Sequence, residues 1–114
     1  MKIAIIGAGN MGGAIARGLS RGTVVAPCDI WVADPSAAKL DALTRFNPAI
    51  NTTTCNQTAV DAAQWVILAV KPWLVDSVAG DITFRPDHVV VSIAAGVTFE
   101  HLVEVLGDSR TIFR

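Results

Sequence analysis

Three glycines near the start of the chain are spaced in a way that suits phosphate binding. They occupy positions 7, 9 and 12 in the segment Gly-Ala-Gly-Asn-Met-Gly, which directly follows the apolar run Ile3–Ile6. Gly7 allows a tight turn out of a strand, Gly9 has no Cβ to keep a pyrophosphate from the backbone, and Gly12 lets a helix pack close to the strand. The N-terminus of that helix adds unpaired N–H groups and partial positive charge. The motif predicts a dinucleotide site, and the alternative is a turn in which glycine serves geometry alone.

A carboxylate stands where the second strand should end. Asp34 follows the apolar run Ile30–Ala33 and lies 22 positions after Gly12. There it could accept hydrogen bonds from both adenosine ribose hydroxyls, which favours NAD. At roughly 4–5 Å and an effective dielectric of about 20, it would repel a 2′-phosphate by about 3–4 kcal/mol per charge pair before screening. Two alternatives stay open: Asp34 could be an Asx-turn residue, or it could turn away and let Ser36 and Lys39 hold the phosphate of NADP.

Three later segments could face the other parts of a dinucleotide. Asn56 begins a predicted helix and could contact the adenosine side, or it could cap that helix. Lys71 lies within the segment Ala-Val-Lys-Pro at residues 69–72. It could be catalytic, although a solvated side chain on a loop used through its backbone is favoured. Residues 92–97, Ser-Ile-Ala-Ala-Gly-Val, are small enough for a flat ring to lie against the backbone, or for plain tight packing.

Other chemistries find little support in the sequence. His88 and His101 have no partner at a useful spacing, so both are expected at the surface rather than in acid–base catalysis. No Ser/His/Asp grouping and no metal-ligand cluster is visible, which disfavours a hydrolase and a metal site. Cys28 and Cys55 show neither metal nor redox spacing. They are expected to be small buried thiols in a reduced, cytoplasmic protein.

The composition is that of one folded domain rather than of a disordered, nucleic-acid-binding or membrane-spanning chain. The chain has 114 residues, of which 52% are apolar and 17% charged, and its formal net charge is −1. Such a balance produces no broad field that would draw the chain to nucleic acid or to an anionic membrane. The longest apolar stretches, residues 65–70 and 88–95, are too short to span a bilayer.

Apolar runs alternate with helical patterns along the chain. Short runs bounded by turn residues predict six strands, and apolar residues at three- and four-residue spacing predict the helices between them. The expected strands are Ile3–Ile6, Ile30–Ala33, residues 50–53, 65–70 and 89–93, and Thr111–Phe113. A short helix is expected at residues 57–63, Ser36 and Thr98 should cap two other helices, and Pro72 should begin another. This order predicts an α/β fold, a doubly wound, mostly parallel, Rossmann-like sheet in one domain, with its ligand at the carboxyl ends of the strands.

Three separated segments, residues 7–12, 69–72 and 92–98, together resemble pyrroline-5-carboxylate reductase. The first segment is shared by many dehydrogenases, and its combination with the other two makes the resemblance specific. It runs from Met1 to Arg114 without a large gap. The resemblance implies reduction of the C=N bond of 1-pyrroline-5-carboxylate to L-proline with NADPH or NADH, in proline biosynthesis.

The resemblance also implies which residues hold the cofactor. Residues 6–11 would bind the pyrophosphate, position 34 would face the adenosine ribose, and Asn56 would contact the cofactor. Residues 69–72 would line the nicotinamide side, and the loop at 94–96 would lie near the reacting ring. The expected cofactor-binding residues are Ile6, Gly7, Ala8, Gly9, Asn10, Met11, Gly12, Asp34, Ser36, Asn56, Ala69, Val70, Lys71, Pro72, Ala94, Ala95 and Gly96. No residue is identified as the proton donor.

Two positions and the length depart from the family. Position 34 is often a small hydroxylated residue in the NADPH-using members, so Asp34 puts an NADPH preference in doubt. Gln64 stands where an Asp commonly precedes the fourth strand, which should affect only a local turn. Family members carry a second, helical domain that forms the dimer and supplies much of the imine site. The chain, residues 1–114, is therefore expected to be the cofactor domain of a homo-oligomeric enzyme and to be inactive by itself.

Two other functions stay open. One is another NAD(P)-dependent reductase, of the β-hydroxyacid dehydrogenase or deazaflavin-linked type, against which residues 92–98 count. The other is a nucleotide-sensing module without chemistry. The short chain favours a sensor slightly, but a sensor has no need of the reductase-like segments that lie away from the phosphate loop.

Overall fold

Six strands form one sheet in the computed structural model, which describes residues 1–107 and 111–114. The strands are β1 Ile3–Ile6, β2 Ile30–Ala33, β3 Asn51–Thr53, β4 Trp65–Leu68, β5 Val89–Ser92 and β6 Thr111–Phe113. All neighbours pair in parallel, and their order is β3-β2-β1-β4-β5-β6. The direction of strand addition therefore reverses between β1 and β4, which is where a doubly wound sheet opens a ligand crevice. The predicted Rossmann-like fold is confirmed.

Five α-helices lie between the strands in the residues that the structure describes. They are α1 Asn10–Arg21, α2 Ala37–Phe46, α3 Asn56–Asp61, α4 Val75–Gly80 and α5 Phe99–Leu106. The two predicted caps are confirmed, because the hydroxyl of Ser36 accepts the N–H of Lys39 and the hydroxyl of Thr98 accepts the N–H of His101. Pro72 begins a 3₁₀ turn, Pro72–Leu74, that leads directly into α4.

Alternate residues of β1 enter two separate hydrophobic cores. Ile3 and Ile5 pack on one face of the sheet with buried side chains of α1 and α2. Ala4 and Ile6 pack on the other face with buried side chains of α3, α4 and α5. All four residues are buried. A central parallel strand covered on both faces must be apolar throughout, which is why β1 is a continuous apolar run rather than an alternating one.

Several elements end earlier than the sequence predicts. β4 and β5 end at Leu68 and Ser92, two residues and one residue short of the expected positions. α3 spans Asn56–Asp61 instead of residues 57–63. The guanidinium of Arg85 donates hydrogen bonds to the carbonyls of Asp61 and Ala63, which lie at this end of the helix.

The expectation that His88 lies at the surface is wrong. The ring is fully buried between the end of α3 and the turn before β5. Its Nδ1 accepts the N–H of Arg85 at 2.8 Å, so the proton of the neutral ring is on Nε2. From Nε2 the carbonyl oxygens of Val60 and Ala63 are each 3.0 Å away. Burial of this imidazole is stable because both ring nitrogens are hydrogen-bonded, and its role is structural.

No helix in the part of the chain that the structure describes is long and apolar enough to cross a membrane. Within the same residues, no three His, Cys, Asp or Glu side chains cluster as a metal ion would require. His101 is partly exposed at the surface, as expected, and its Nε2 lies 2.6 Å from a carboxylate oxygen of Asp76.

Gly12 and Gly18 lie in the same helix and allow a matched test of the packing of α1. A Cβ on Gly12 would lie 1.8 Å from the carbonyl oxygen of Gly7, whereas a Cβ on Gly18 would have no neighbour within 4 Å. We expect Gly12→Ala to destabilise the chain by about 3 kcal/mol or more, because backbone must move to admit the methyl group. Gly18→Ala should stabilise it by up to about 1 kcal/mol through helix propensity. Urea unfolding of both variants measures the difference, and equal effects would contradict the packing described here.

Candidate functional site

A cavity of about 670 Å³ opens at the carboxyl edge of the sheet, over the reversal between β1 and β4. The segments that follow β1, β2, β3, β4 and β5 all contribute to its wall. Of the residues that the sequence predicts to bind a cofactor, thirteen line it: Ile6, Gly7, Gly9, Asn10, Met11, Asp34, Asn56, Ala69, Val70, Lys71, Pro72, Ala94 and Ala95. The fold therefore brings residues from five separate segments to one cavity.

The glycine loop has the geometry that phosphate binding needs. Gly7 has φ of +109°, a conformation that favours glycine, and its N–H donates to the carbonyl of Ala33 at 2.8 Å. Gly9 lines the cavity, and a Cβ built on it would meet nothing within 4 Å. The space beside its backbone is thus open to a ligand on the side where any other residue would place a side chain.

The N-terminus of α1 faces the same cavity. Asn10 and Met11, the first two residues of the helix, line the wall. No side chain caps this end of the helix, and its first turn contains no acidic residue. The early N–H groups and the positive end of the helix dipole can therefore serve an anion. Together with the open space at Gly9, this arrangement fits the pyrophosphate of a dinucleotide.

Asp34 lines the cavity directly after β2, beside the glycine loop. Its carboxylate accepts two backbone hydrogen bonds, from the N–H of Ala8 to Oδ2 and from the N–H of Ser36 to Oδ1, both at 2.8 Å. The bond to Ser36 is the Asx turn that the sequence left open as an alternative. The bond to Ala8 connects the glycine loop to the turn after β2, so Asp34 helps to position the glycine loop.

Four residues of the predicted set lie outside the wall of this cavity. Ala8 is buried with its N–H on Asp34, and Gly12 is packed beneath the carbonyl of Gly7. Ser36 caps α2. Gly96, with φ of +78°, belongs to a shallower neighbouring cavity beside Pro72. Their positions suggest that they shape the site from behind or beside it, and direct contact with a cofactor stays a prediction for them.

The wall also contains residues that the sequence did not put in the predicted set. They are Ala33, Pro35, Lys39, Thr54, Leu74, Val78 and Ile93. Ala33, Pro35 and Ile93 are direct chain neighbours of predicted residues, so the loop positions already implied them. Leu74 and Val78 are different, because they come from α4 and its preceding turn. Their four-residue spacing puts them on one helical face, which is the signal that could have identified them.

The loops after β4 and β5 form the second half of the cavity. Lys71 is exposed, in keeping with the favoured interpretation of a solvated side chain on a loop. In the β5 loop, the hydroxyl of Ser92 accepts the N–H of Ala94 at 3.3 Å, which curls the backbone at the cavity wall. Val70 and Ala94 add small apolar groups to the wall. This side can receive a flat, weakly polar ring against backbone and methyl groups.

Both cysteines are exposed, so the expectation of buried thiols is wrong. Neither lies in a strand or in the interior of a helix: Cys28 is in a 3₁₀ turn before β2, and Cys55 immediately precedes α3. The hydroxyl of Thr58, one turn into α3, stabilises the thiolate and lowers the pKa of Cys55. Cys55 also stands between Thr54 and Asn56, which line the cavity.

Comparison with known proteins agrees with this geometry. A family model described as "NADP oxidoreductase coenzyme F420-dependent" matches residues 2–96, which is most of the chain. The chain belongs to this family. Because NADP oxidoreductases use a nicotinamide dinucleotide, the cofactor class predicted from the glycine loop is confirmed.

Within this family of NADP oxidoreductases, the chain is similar to pyrroline-5-carboxylate reductases. It is 43% identical to that of Escherichia coli (strain K12) over 115 residues, which cover 99% of the chain and 42% of the relative. The structure of the reductase from Coxiella burnetii superposes with a TM-score of 0.85 at 31% identity, covering 97% of the chain and 42% of that protein. The NADP-bound enzyme of Plasmodium falciparum, at 23% identity and a TM-score of 0.81, shares the fold over 98% of the chain and 40% of its own length.

These relatives confirm the resemblance that residues 7–12, 69–72 and 92–98 indicate. The chain spans about two fifths of the length of the relatives it matches, 42% of the Escherichia coli enzyme and 40% of the Plasmodium falciparum enzyme. What the similarity supports directly is the dinucleotide-binding part of an NADP oxidoreductase.

Gly9→Val tests whether the open space at the glycine loop is the phosphate site. The backbone of Gly9 is extended and a side chain there meets no protein atom within 4 Å, so the variant should fold normally. Its isopropyl group would enter the cavity, and binding of NADH and NADPH should weaken by roughly five- to 150-fold, since steric overpacking costs about 1–3 kcal/mol. Titration followed by tryptophan fluorescence measures this. Gly18→Val, another open glycine outside the cavity, is the control, and unchanged binding by the Gly9 variant would contradict the assignment.

The thiol of Cys55 gives a second test of the local chemistry. Because the Thr58 hydroxyl lowers its pKa, more thiolate is present near neutral pH and alkylation should be faster. Thr58→Val should raise the pKa and slow the reaction with iodoacetamide several-fold at pH 7. Peptide mass spectrometry follows Cys55 and uses the exposed Cys28 as the reference within the same chain. An unchanged ratio of the two rates in the variant would rule out the role of Thr58.

Proposed function

We propose that the chain is the cofactor-binding domain of a pyrroline-5-carboxylate reductase. In this function, a nicotinamide dinucleotide binds across the carboxyl edge of the sheet and the imine of 1-pyrroline-5-carboxylate is reduced to L-proline. The observation that carries the proposal is the cavity itself. It extends from the glycine loop to the loops after β4 and β5, and each of these regions contains one of the three segments that resemble the family.

Each part of the cavity has a definite task in this proposal. The backbone at Gly9 and the N-terminus of α1 hold the pyrophosphate, while Asp34 and Asn56 face the adenosine side. Val70 and Ala94 receive the nicotinamide ring, which when bound supplies the hydride for the C=N bond. The protein's contribution is to hold the ring in one orientation at the mouth of the cavity, because hydride transfer requires close and aligned reactants.

The imine itself requires groups beyond those of this cavity. Among the described residues, none is placed as an evident proton donor, and Lys71 is exposed on its loop. Met11, Trp73 and Leu74 are exposed apolar side chains on this same edge, which a second domain could cover. We propose that the second, helical domain of the family completes the imine site and forms a homo-oligomer, and that residues 1–114 alone bind cofactor without turnover.

The cellular location and the class of partner are inferred from the exposed thiols and the net charge. Two exposed and free thiols suit a reducing compartment, which supports a cytoplasmic location. The formal net charge of −1 favours a small-molecule substrate over a nucleic-acid or anionic-membrane partner. A metabolic reductase in the cytoplasm agrees with both features.

A second candidate function is reduction or oxidation of a deazaflavin with NADP. The description of the family, an F420-dependent NADP oxidoreductase, favours it. The chain is 43% identical over 99% of its length to a pyrroline-5-carboxylate reductase, which is why that function is preferred. A sensor without chemistry is the least favoured, because the cavity continues past the phosphate site to the loops after β4 and β5.

A chimera tests the proposed reaction. Residues 1–114 replace the segment of the Escherichia coli enzyme to which they align at 43% identity, so that the remainder of that enzyme supplies the rest of the active site. We expect the chimera to oxidise NADH or NADPH with 1-pyrroline-5-carboxylate and to restore growth without proline in a reductase-deficient strain. The same chimera with Gly9→Val should lose both properties. The isolated chain should show no measurable turnover.

The assay also separates the alternatives. A folded chimera that binds the cofactor but does not reduce the imine would overturn the proposed reaction. Turnover with F420 in place of the imine would establish the second candidate. Since binding and turnover are measured on the same preparation, a failure to fold cannot be mistaken for a failure of function.

A further inference from the structure

The carboxylate of Asp34 is buried and is held by backbone hydrogen bonds on both of its oxygens. It is 7% exposed, and each of its two oxygens accepts a backbone N–H at 2.8 Å. One donor, Ala8, belongs to the glycine loop, and the other, Ser36, precedes α2. The N–H of Asp34 itself donates to the carbonyl of Thr53 at 3.2 Å, which fixes its backbone to β3.

This arrangement removes one of the alternatives that the sequence left open. For Ser36 and Lys39 to hold a 2′-phosphate, Asp34 would have to turn away from the cavity. Turning away would leave the buried N–H of Ala8 without its acceptor and would break the Asx turn at Ser36. Hydrogen bonds to a charged acceptor are among the stronger ones, and a buried donor left unpaired is costly. Asp34 therefore stays at the cavity wall.

The position of the fixed charge determines which adenosine ribose the cavity accepts. Asp34 lines the cavity together with Pro35, Lys39 and Thr54, at the end away from the loops after β4 and β5. Each carboxylate oxygen can accept a second hydrogen bond, so two ribose hydroxyls can be bound without moving it. A 2′-phosphate would instead meet a fixed negative charge in a partly desolvated site. Lys39 is exposed, and its solvated, flexible ammonium offsets that repulsion only weakly.

We infer that this chain selects NADH over NADPH, and that Asp34, locked by the N–H groups of Ala8 and Ser36, determines the preference. The inference rests on the proposed cofactor site and narrows it to one ligand. It also sets the chain apart from the NADP named in the description of its family. Asp34 is a specificity residue at the cofactor, and through Ala8 it is a positioning residue for the glycine loop.

Binding to the isolated chain tests the inference directly. We expect NADH to bind at least about tenfold more tightly than NADPH, from charge repulsion across a few ångströms. Isothermal titration with both nucleotides gives the two dissociation constants. Asp34→Asn removes the charge and should reduce the preference to within about threefold, mainly by tightening NADPH. Asp41→Asn, the same change at an exposed site on α2, should leave the preference unaltered. Equal or tighter binding of NADPH by the unaltered chain would overturn the inference.

A second measurement does not depend on whether the Asp34 variant folds. Competition against bound NADH with 5′-AMP and with adenosine 2′,5′-bisphosphate isolates the adenosine end of the cavity. 5′-AMP should compete at least about tenfold better than adenosine 2′,5′-bisphosphate, because its 2′ position carries no phosphate to be repelled by Asp34. The reverse order would place the 2′-phosphate in a favourable site and overturn the inference.

The outcomes also separate this inference from the proposed reaction. If neither nucleotide binds, the cofactor site and the inference both fail. If NADH is preferred while the chimera does not reduce the imine, the inference stands and the proposed reaction fails. If the chimera works and prefers NADPH, the reaction stands and the inference fails.

Discussion

The first turn of α1 lies so close to the loop after β1 that position 12 has room for nothing larger than hydrogen. A Cβ there would lie 1.8 Å from the carbonyl oxygen of Gly7. This contact places the N-terminus of α1 directly over the end of β1, with its N–H groups directed at the crevice. Gly7, with its positive φ, makes the turn that brings the two together. The proposed phosphate site is therefore a consequence of close backbone packing, and no charged side chain is needed to build it.

The position of the crevice follows from the order of the strands. β1 is central, and the chain adds β2 and β3 on one side of it and β4, β5 and β6 on the other. The loops that follow β1 and β4 are led to opposite faces of the sheet, so a gap opens between them at the carboxyl edge. Because both faces of β1 are covered by helices, its four residues pack into two cores. This packing fixes the end of the strand from which the glycine loop begins.

Asp34 connects the glycine loop and the turn after β2 at the carboxyl edge of the sheet. One carboxylate oxygen binds the backbone of the glycine loop and the other closes the turn after β2. The same group lines the cavity, where we propose that it faces the adenosine end of a dinucleotide. A change at this position is therefore expected to affect both the shape of the phosphate loop and the charge offered to the ribose. Burial of this carboxylate is stable because each of its two oxygens accepts a backbone N–H.

Much of the fold and most of the candidate site were predictable from local patterns. Apolar runs and glycine or proline breaks gave strands and helices to within one or two residues, because burial on both faces leaves a continuous apolar signal. The Gly7–Gly9–Gly12 spacing predicted the turn after β1 and the close approach of α1, because both require glycine at fixed positions. What only the tertiary structure decided depends on distant partners. His88 is buried because the carbonyls of Val60 and Ala63 accept its Nε2–H. The carboxylate of Asp34 is oriented by a hydrogen bond from Ala8, 26 positions away in the chain. No local pattern encodes such pairings, because they form only when the sheet brings separate segments together.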